Sequence, residues 1–346
     1  MKTIKINRTL VGENKKPYII AEACINHQGN MSLAKKMIQK AAGCGVSAVK
    51  FQFHVLEDEM LIKTPKSKNF KKSLYVTLKE TNFNVKQHQE LKRICKLNKV
   101  DYLCTPFSFK SADILEKELK VKVFKVGSGE LTNHPLQIYI ARKGLPTIIS
   151  TGMSNLDEIS ETIKVVKKHN KEIIITQCTS AYPCPPEISD IKVITQFKKK
   201  FNIPVGLSDH TNNNYTSFGA IALGACIIEK HFTLDKKLPG PDHASSINIY
   251  ELNELVKGCN DIFLATKNQK KKIHTQEKQI ISWARESVVT IKSIKKGEFF
   301  SKRNISVKRP APNLNEIKPK YFIKILKKKA NKNLSKNYKI RWSDIS

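Results

Sequence analysis

Two histidines stand at matching places in the stretch from Gly206 to Ser246. His210 follows the apolar run IPVGL, His231 follows ACIIE, and the small, apolar TSFGAIALGA lies between them. Strand, helix and strand in so short a span form a βαβ unit with parallel strands. Both imidazoles then leave the carboxyl ends of neighbouring strands and face one crevice. Imidazole suits Mn, Fe, Co or Zn, and Asp209, Glu229, Asp242 and His243 are close by in sequence. The competing reading makes each histidine a satisfied polar group at a strand end, because the pair has no fixed ligand spacing of the HExxH kind.

Polar groups follow the other apolar runs as well. Glu22, then Asn26 and His27, come after the first; Lys50 and Gln52 after the second; Thr105 after the third. Lys125, Ser128 and Glu130 follow the fourth, Ser150 the fifth, and Gln177, Thr179, Ser180 and Tyr182 the sixth. Ser208 and Glu229 end the last two. Amines and hydroxyls converging in this way bind phosphate and carboxylate together. Glycines around Ser128 and at Gly152 let backbone N–H groups approach an oxyanion. A strand-end lysine could instead form a Schiff base if desolvated; two lysines beside a histidine pair favour anion binding.

Such residues need elements to hold them. Eight apolar runs are centred near Ile20, Val49, Tyr102, Val123, Ile148, Ile174, Val205 and Ile228, 21 to 31 residues apart except for one gap of 53. Helical patterns lie between them, among them MSLAKKMIQKAAGCG, NVKQHQELKRICKLN and LDEISETIKVVKKHN. Continuous apolar runs are what a parallel sheet covered on its outer face requires. The pattern predicts a (β/α)8 TIM barrel over residues 1–267, with an open doubly wound sheet as the alternative. The long gap, Leu56 to Phe83, reads as an insertion over the barrel mouth. A polar linker at 268–283 leads to a small α+β domain at 284–346, whose core is too small to be rich.

The bulk numbers exclude some classes. No apolar run approaches the roughly 18–20 residues of a membrane span, and the start MKTIKINRTLVGENKKPYII lacks a signal-peptide core. Eight cysteines without a CxxC pair read as reduced core residues of a cytoplasmic protein. The net charge of +32 suggests nucleic acid, but only 7 of the 62 basic residues are Arg. Dispersed lysines do not make the arginine forks that read bases and clamp phosphates. Neither a nucleic-acid nor a membrane partner is expected.

Several stretches, in order along nearly the whole chain, are similar to one family: IIAEACINHQGNMSLAKKMI, AVKFQ, CTPFS, FKVGSGELTN, TIISTGMSNLDEI, QCTSAYPCP, VGLSDHT, GAIALGACIIEKHFTLDK, GPDHASS and SIKKGEFFSKRNISVKRP. They resemble the N-acetylneuraminate (sialic acid) synthases and their relatives that make legionaminic and pseudaminic acids. The resemblance implies a barrel followed by an antifreeze-like SAF domain, in a homodimer that places this domain over the partner's active site. It implies condensation of phosphoenolpyruvate with N-acetylmannosamine to N-acetylneuraminate and phosphate; the alternative aldose is a 2,4-diacetamido-trideoxyhexose. It implies a divalent ion on His210 and His231, with Mn²⁺ preferred and Mg²⁺ or Co²⁺ compatible. Phosphoenolpyruvate would meet Lys50, Thr105, Lys125, Ser128, Ser150 and Ser208. The sugar would meet Gln52, Tyr182, Asp242 and Arg309, and Glu22 and Glu130, with Asp242, would be the carboxylates nearest the reacting atoms. Phosphoenolpyruvate-aldose synthases of the Kdo-phosphate or DAHP type are a second enzyme reading, against which GPDHASS and the C-terminal module argue. Two departures stand out: Cys24 occupies a place where the family often has Gly, and ILKKKANKNLSKNYKIRW lacks glycines common near its turns.

Overall fold

The structure, a computed structural model, describes residues 3–65, 72–267 and 270–346. It divides into two compact units, Met1–Lys267 and Asn268–Ser346.

The first unit opens with a hairpin, β1 (Ile4–Ile6) and β2 (Thr9–Val11), which the sequence pattern did not reveal. Eight parallel strands follow: β3 (Tyr18–Glu22), β4 (Ala48–Phe53), β5 (Asp101–Pro106), β6 (Phe124–Val126), β7 (Thr147–Ser150), β8 (Ile173–Cys178), β9 (Val205–Asp209) and β10 (Ile227–His231). They run in the order β5-β4-β3-β10-β9-β8-β7-β6, and β5 and β6 lie side by side without ladder pairing. This is a nearly closed TIM-like barrel, and all eight expected runs are its strands.

Helices alternate with the strands: α1 (Met31–Gly43), α2 (Leu56–Glu59), α3 (Leu74–Thr81), α4 (Val85–Leu97), α5 (Phe109–Lys117), α6 (His134–Arg142), α7 (Leu156–Lys167), α8 (Val193–Phe201), α9 (Tyr215–Ala222) and α10 (Ile249–Thr266). Asn84, Asn155 and Asn248 open α4, α7 and α10 with capping boxes completed by Gln87, Glu158 and Glu251. Each box satisfies amides that the first helical turn leaves orphaned. The buried faces of these helices pack on the outside of the sheet in one apolar cluster. A second cluster lies at the amino end of the barrel, where Ile4, Ile6 and Val11 of the hairpin meet Tyr18, Leu103, Ile148 and Ile174. That end is closed by hydrocarbon, so polar chemistry is confined to the carboxyl end.

The expected insertion carries α2 and α3; its residues 66–71, like 268–269 of the expected linker, lie outside the described residues. The rest of that linker is not irregular, because α11 (Thr275–Ala284) occupies most of it. The second unit continues with β11 (Ser287–Thr290) paired antiparallel to β12 (Ile305–Lys308), and α12 (Phe322–Ile325). Its core is nine buried side chains, from Val288 to Ile340. All eight cysteines are buried and unpaired. Among the described residues no helix is long and apolar enough to cross a membrane.

Candidate active site at the carboxyl end of the barrel

Strand parity selects what faces the site. Side chains alternate along a strand, and the ladder pairs Glu22 with Lys50, Glu229 with Ser208 and His231 with Glu22. These residues, with Gln52, line one cavity of about 620 Å³. Asp209 and Lys230 have the opposite parity and are not in its lining. They pair with each other at 2.8 Å, and Asp209 accepts from the hydroxyls of Thr216 and Ser217 on α9. His243 is likewise structural, bonded to Thr233 and Gln28. Of the carboxylates and histidines near the pair in sequence, the site keeps Glu229 and Asp242.

Four ionisable groups meet at the base of the cavity. Lys50 Nζ lies 3.0 Å from Glu22 and 3.2 Å from Glu229, and Lys125 Nζ lies 3.5 Å from Glu229. All four are buried. Burial pushes the Glu22 carboxyl up to about 7; repulsion from Glu229 adds to the rise and Lys50 opposes it. Burial would raise Glu229 too, but Lys125 and Lys50 outweigh it and pull Glu229 down to about 2. Lys50 is raised because two carboxylates overcome its burial. Burial wins at Lys125, which sits below the usual amine value despite Glu229. The base thus offers one firmly ionised carboxylate, one able to exchange a proton near neutrality, and two amines.

Hydroxyls complete this base. Lys125 donates to Ser150 Oγ at 2.5 Å, Lys50 to Thr105 Oγ1 at 3.4 Å, and Ser208 donates to Glu229 at 3.1 Å. A phosphate is a stronger acceptor than any of these hydroxyls and competes for the same donors. The Gly152 amide, expected to be open to an oxyanion, donates instead to Ser128 Oγ at 3.1 Å. Glycine is needed there because a Cβ would stand 2.7 Å from that oxygen.

The two histidines do meet. Their ring centres are 5.4 Å apart, tilted by 58°. One ion about 2.1 Å from a nitrogen of each ring can span that separation. His210 Nδ1 donates to the Thr179 carbonyl at 2.8 Å, which leaves Nε2 as the lone-pair nitrogen. Burial, and then the neighbouring His210, keep His231 well below its usual value and hence neutral, the form that binds metal. The residues fit a divalent cation.

Around this centre Tyr182 lies against His210 with ring centres 4.1 Å apart, and Asp242 reaches the wall. Gln52 Oε1 is held by His54 at 3.1 Å, and His54 in turn by Glu59 at 2.8 Å. Glu130 lines the same cavity with its carboxylate accepting from Asn133 at 2.9 Å, while Glu22 and Glu229 stand beside the lysines. Arg309 is exposed in the second unit, where it lines a recess with Arg285 and Lys318. Sequence reasoning listed Glu229 among strand ends without giving it a role, although its parity with His231 was readable. It missed Cys24 and Cys178 in the lining. It also missed the apolar wall of Ile25, Met60, Leu74 and Leu78, which depends on how α2 and α3 fold back.

The NeuB family matches residues 37–271 and the SAF domain matches residues 285–346. An uncharacterized protein of Methanocaldococcus jannaschii is 38% identical over 100% of this chain and 99% of its own. An N,N'-diacetyllegionaminic acid synthase of Campylobacter jejuni is 39% identical over 94% of this chain and 98% of its own. Among solved structures, an N-acetylneuraminic acid (sialic acid) synthetase of Leptospira borgpetersenii, in complex with citrate, superposes with a TM-score of 0.73 at 30% identity. It covers 81% of this chain and 95% of that one.

Proposed function

The chain belongs to the NeuB family of sialic acid-type synthases, and from that premise we propose that it joins phosphoenolpyruvate to an N-acetylated aldose, giving a nine-carbon 2-keto acid and phosphate. The observation that carries this reading is the base of the cavity: two buried lysines bonded to the hydroxyls of Thr105 and Ser150, in a cavity that the histidine pair also lines. Lys50 and Lys125 hold the phosphate and carboxylate of phosphoenolpyruvate, with Thr105, Ser128, Ser150 and Ser208 donating to the remaining oxygens. Gln52, Tyr182 and Asp242 orient the sugar. His210 and His231 hold a divalent ion, with Mn²⁺ the expected one, which when bound supplies Lewis-acid polarisation of the aldehyde oxygen.

The bond changes balance as follows. The methylene carbon of phosphoenolpyruvate bonds to the aldehyde carbon, whose oxygen takes a proton. A water oxygen bonds to C2, that water gives up its protons, and the C2–O bond to phosphate breaks. Glu22, with its carboxyl at about 7, exchanges a proton with these groups. Glu229 stays ionised and holds both lysines in place. The cavity walls limit the water that reaches C2.

A specific observation favours the 2,4-diacetamido-trideoxyhexose over N-acetylmannosamine. The wall of Ile25, Met60, Leu74 and Leu78 is apolar. It accepts a C6 methyl or a second acetamido methyl, whereas a hydroxyl set against it loses its water partners. Arg309 reaches the sugar of the partner subunit in a homodimer. The deciding experiment measures phosphate release by purified full-length protein with phosphoenolpyruvate and each aldose in turn. The diacetamido sugar should give the higher kcat/KM; equal or greater turnover of N-acetylmannosamine reverses the sugar assignment. No phosphate release with either aldose overturns the reaction.

A further inference from the structure

Cys24 lies two residues beyond Glu22 in the wall of the same cavity. Its backbone has φ 44, in the left-handed region where glycine is the ordinary occupant, yet a buried thiol is carried there. That thiol has specific company. One ligand atom each from Cys24, His231 and Asp242 lie within 4.8 Å of one another. Burial, together with the Asp242 carboxylate beside it, holds the Cys24 thiol in its neutral form until a cation arrives.

A second, independent observation concerns His231. Its Nδ1 is sealed from solvent and has no hydrogen-bond partner. Buried polar nitrogens almost always have one, and an imidazole nitrogen without one is a lone pair awaiting a ligand or a proton lacking an acceptor. The ring beside it, His210, is fixed by the Thr179 carbonyl and presents its other nitrogen. Two imidazoles, one thiol and one carboxylate therefore border the same small space, and the two histidines alone leave it incomplete as a coordination shell.

We propose that Cys24 is a protein ligand of the ion held by His210 and His231, and that with Asp242 it turns a two-histidine site into a sulfur–nitrogen–oxygen site. On binding, the ion takes the thiol sulfur as thiolate and the proton leaves for solvent, with Asp242 as its first acceptor. The consequence is selectivity. Thiolate is a soft ligand that favours Zn²⁺, Co²⁺ and Fe²⁺ over the harder Mn²⁺ and Mg²⁺. Imidazole already binds Zn²⁺ and Co²⁺ more tightly than Mn²⁺, and the thiolate widens that gap, against the Mn²⁺ that the family resemblance implies. The inference rests on the metal reading of the preceding section, and the test separates the two.

Purified full-length protein is stripped with a chelator and titrated with Co²⁺ without substrates. The expected result is visible d–d bands together with a near-ultraviolet sulfur-to-cobalt charge-transfer band. Cys24→Ser should lose the charge-transfer band, keep the visible bands and lose at least tenfold in Zn²⁺ affinity, since changes to outer-shell partners alone cost roughly 10–100-fold. Its Mn²⁺ affinity should change much less. Cys24→Gly, which suits the left-handed backbone, should behave in the same way and guards against a folding artefact. Cobalt bound with d–d bands but no charge-transfer band overturns the Cys24 assignment and leaves the histidine site standing. A band that survives Cys24→Ser and vanishes in Cys178→Ser assigns the sulfur to Cys178, which lies 3.9 Å from His210 Nδ1, and also overturns it. Failure to bind any divalent ion overturns both readings.

Discussion

Two histidines outside the site carry a measurable burden. His88 is fully buried; its Nδ1 meets the Tyr102 hydroxyl at 2.7 Å and its Nε2 has no partner. His27 is buried and stacked on Phe83 at 4.2 Å. Burial lowers His27 from 6.5 to about 4 and His88 to about 3, with His27 and His54 contributing to the latter. Both folded values lie below the unfolded one, so the fold prefers neutral rings. Their contribution is complete above about pH 6.5 and is lost progressively as pH falls from there toward the folded values, where the loss levels off. Each should remove about 2 kcal/mol of stability between pH 6.5 and 5, at 1.36 kcal/mol per unit. Urea denaturation at pH 7.5 and 5 tests this, and His88→Phe should reduce the pH difference by about half. An unchanged difference would show that other groups set it. Which histidines are structural was legible only in part. The parity of His231 with Glu229 could be read along β10, and so could the opposite parity of Asp209 and Lys230. The partners of His88, His54 and Cys24 come from elements distant in sequence, and no local pattern encodes them.

Elements were legible where periodicity had length to show itself. Continuous apolar runs and the helices between them predicted all eight barrel strands, because burial on both faces leaves an unmistakable composition. The strands of the β1–β2 hairpin have three residues each, too few for a period. Helix α10 was overlooked although Leu252, Leu255, Val256 and Cys259 keep helical spacing, since it lies beyond the last strand. The missing glycines of the C-terminal module have a visible counterpart. Lys327 and Asn337 occupy left-handed turn positions at φ 65 and φ 64. Asn tolerates this conformation, whereas Lys pays roughly 1–2 kcal/mol for it. Lys327 is exposed. Glycine relieves the strain but loses more entropy on folding, about 0.5–1 kcal/mol. Lys327→Gly should therefore stabilise the module by roughly 0.5–1 kcal/mol. Calorimetry should show the melting temperature of the second unit rising by a few degrees, and a fall would mean the lysine side chain matters to the turn.

At the scale of the whole molecule, a net charge of +32 carried mainly by dispersed Lys sets a field rather than a binding site. That field concentrates small anions near a cavity whose own lysines are held by carboxylates. The second unit raises a different question, since its nine-residue core is small for an independent domain. Its Arg309 is exposed, one of only 7 arginines in the chain. A planar guanidinium fork suits a sugar acetamide or hydroxyl oxygen and would contribute little to phosphoenolpyruvate held among the lysines, as proposed above. If Arg309 completes the site of a partner subunit, Arg309→Ala should raise the sugar KM or lower kcat and leave the phosphoenolpyruvate KM nearly unchanged. The loss should be about 1.5–3 kcal/mol, roughly 10- to 150-fold. Complementation makes the test specific. On this reading Arg309→Ala and Lys125→Ala should each be strongly impaired alone, the one for want of a sugar contact and the other for want of a phosphate contact. A mixed dimer has one barrel with Lys125 intact, and the partner over that barrel carries Arg309. Activity should reappear on subunit exchange, approaching one working site per mixed dimer. If exchange is demonstrated by mass and no activity returns, Arg309 serves its own barrel or none, and the shared site is refuted.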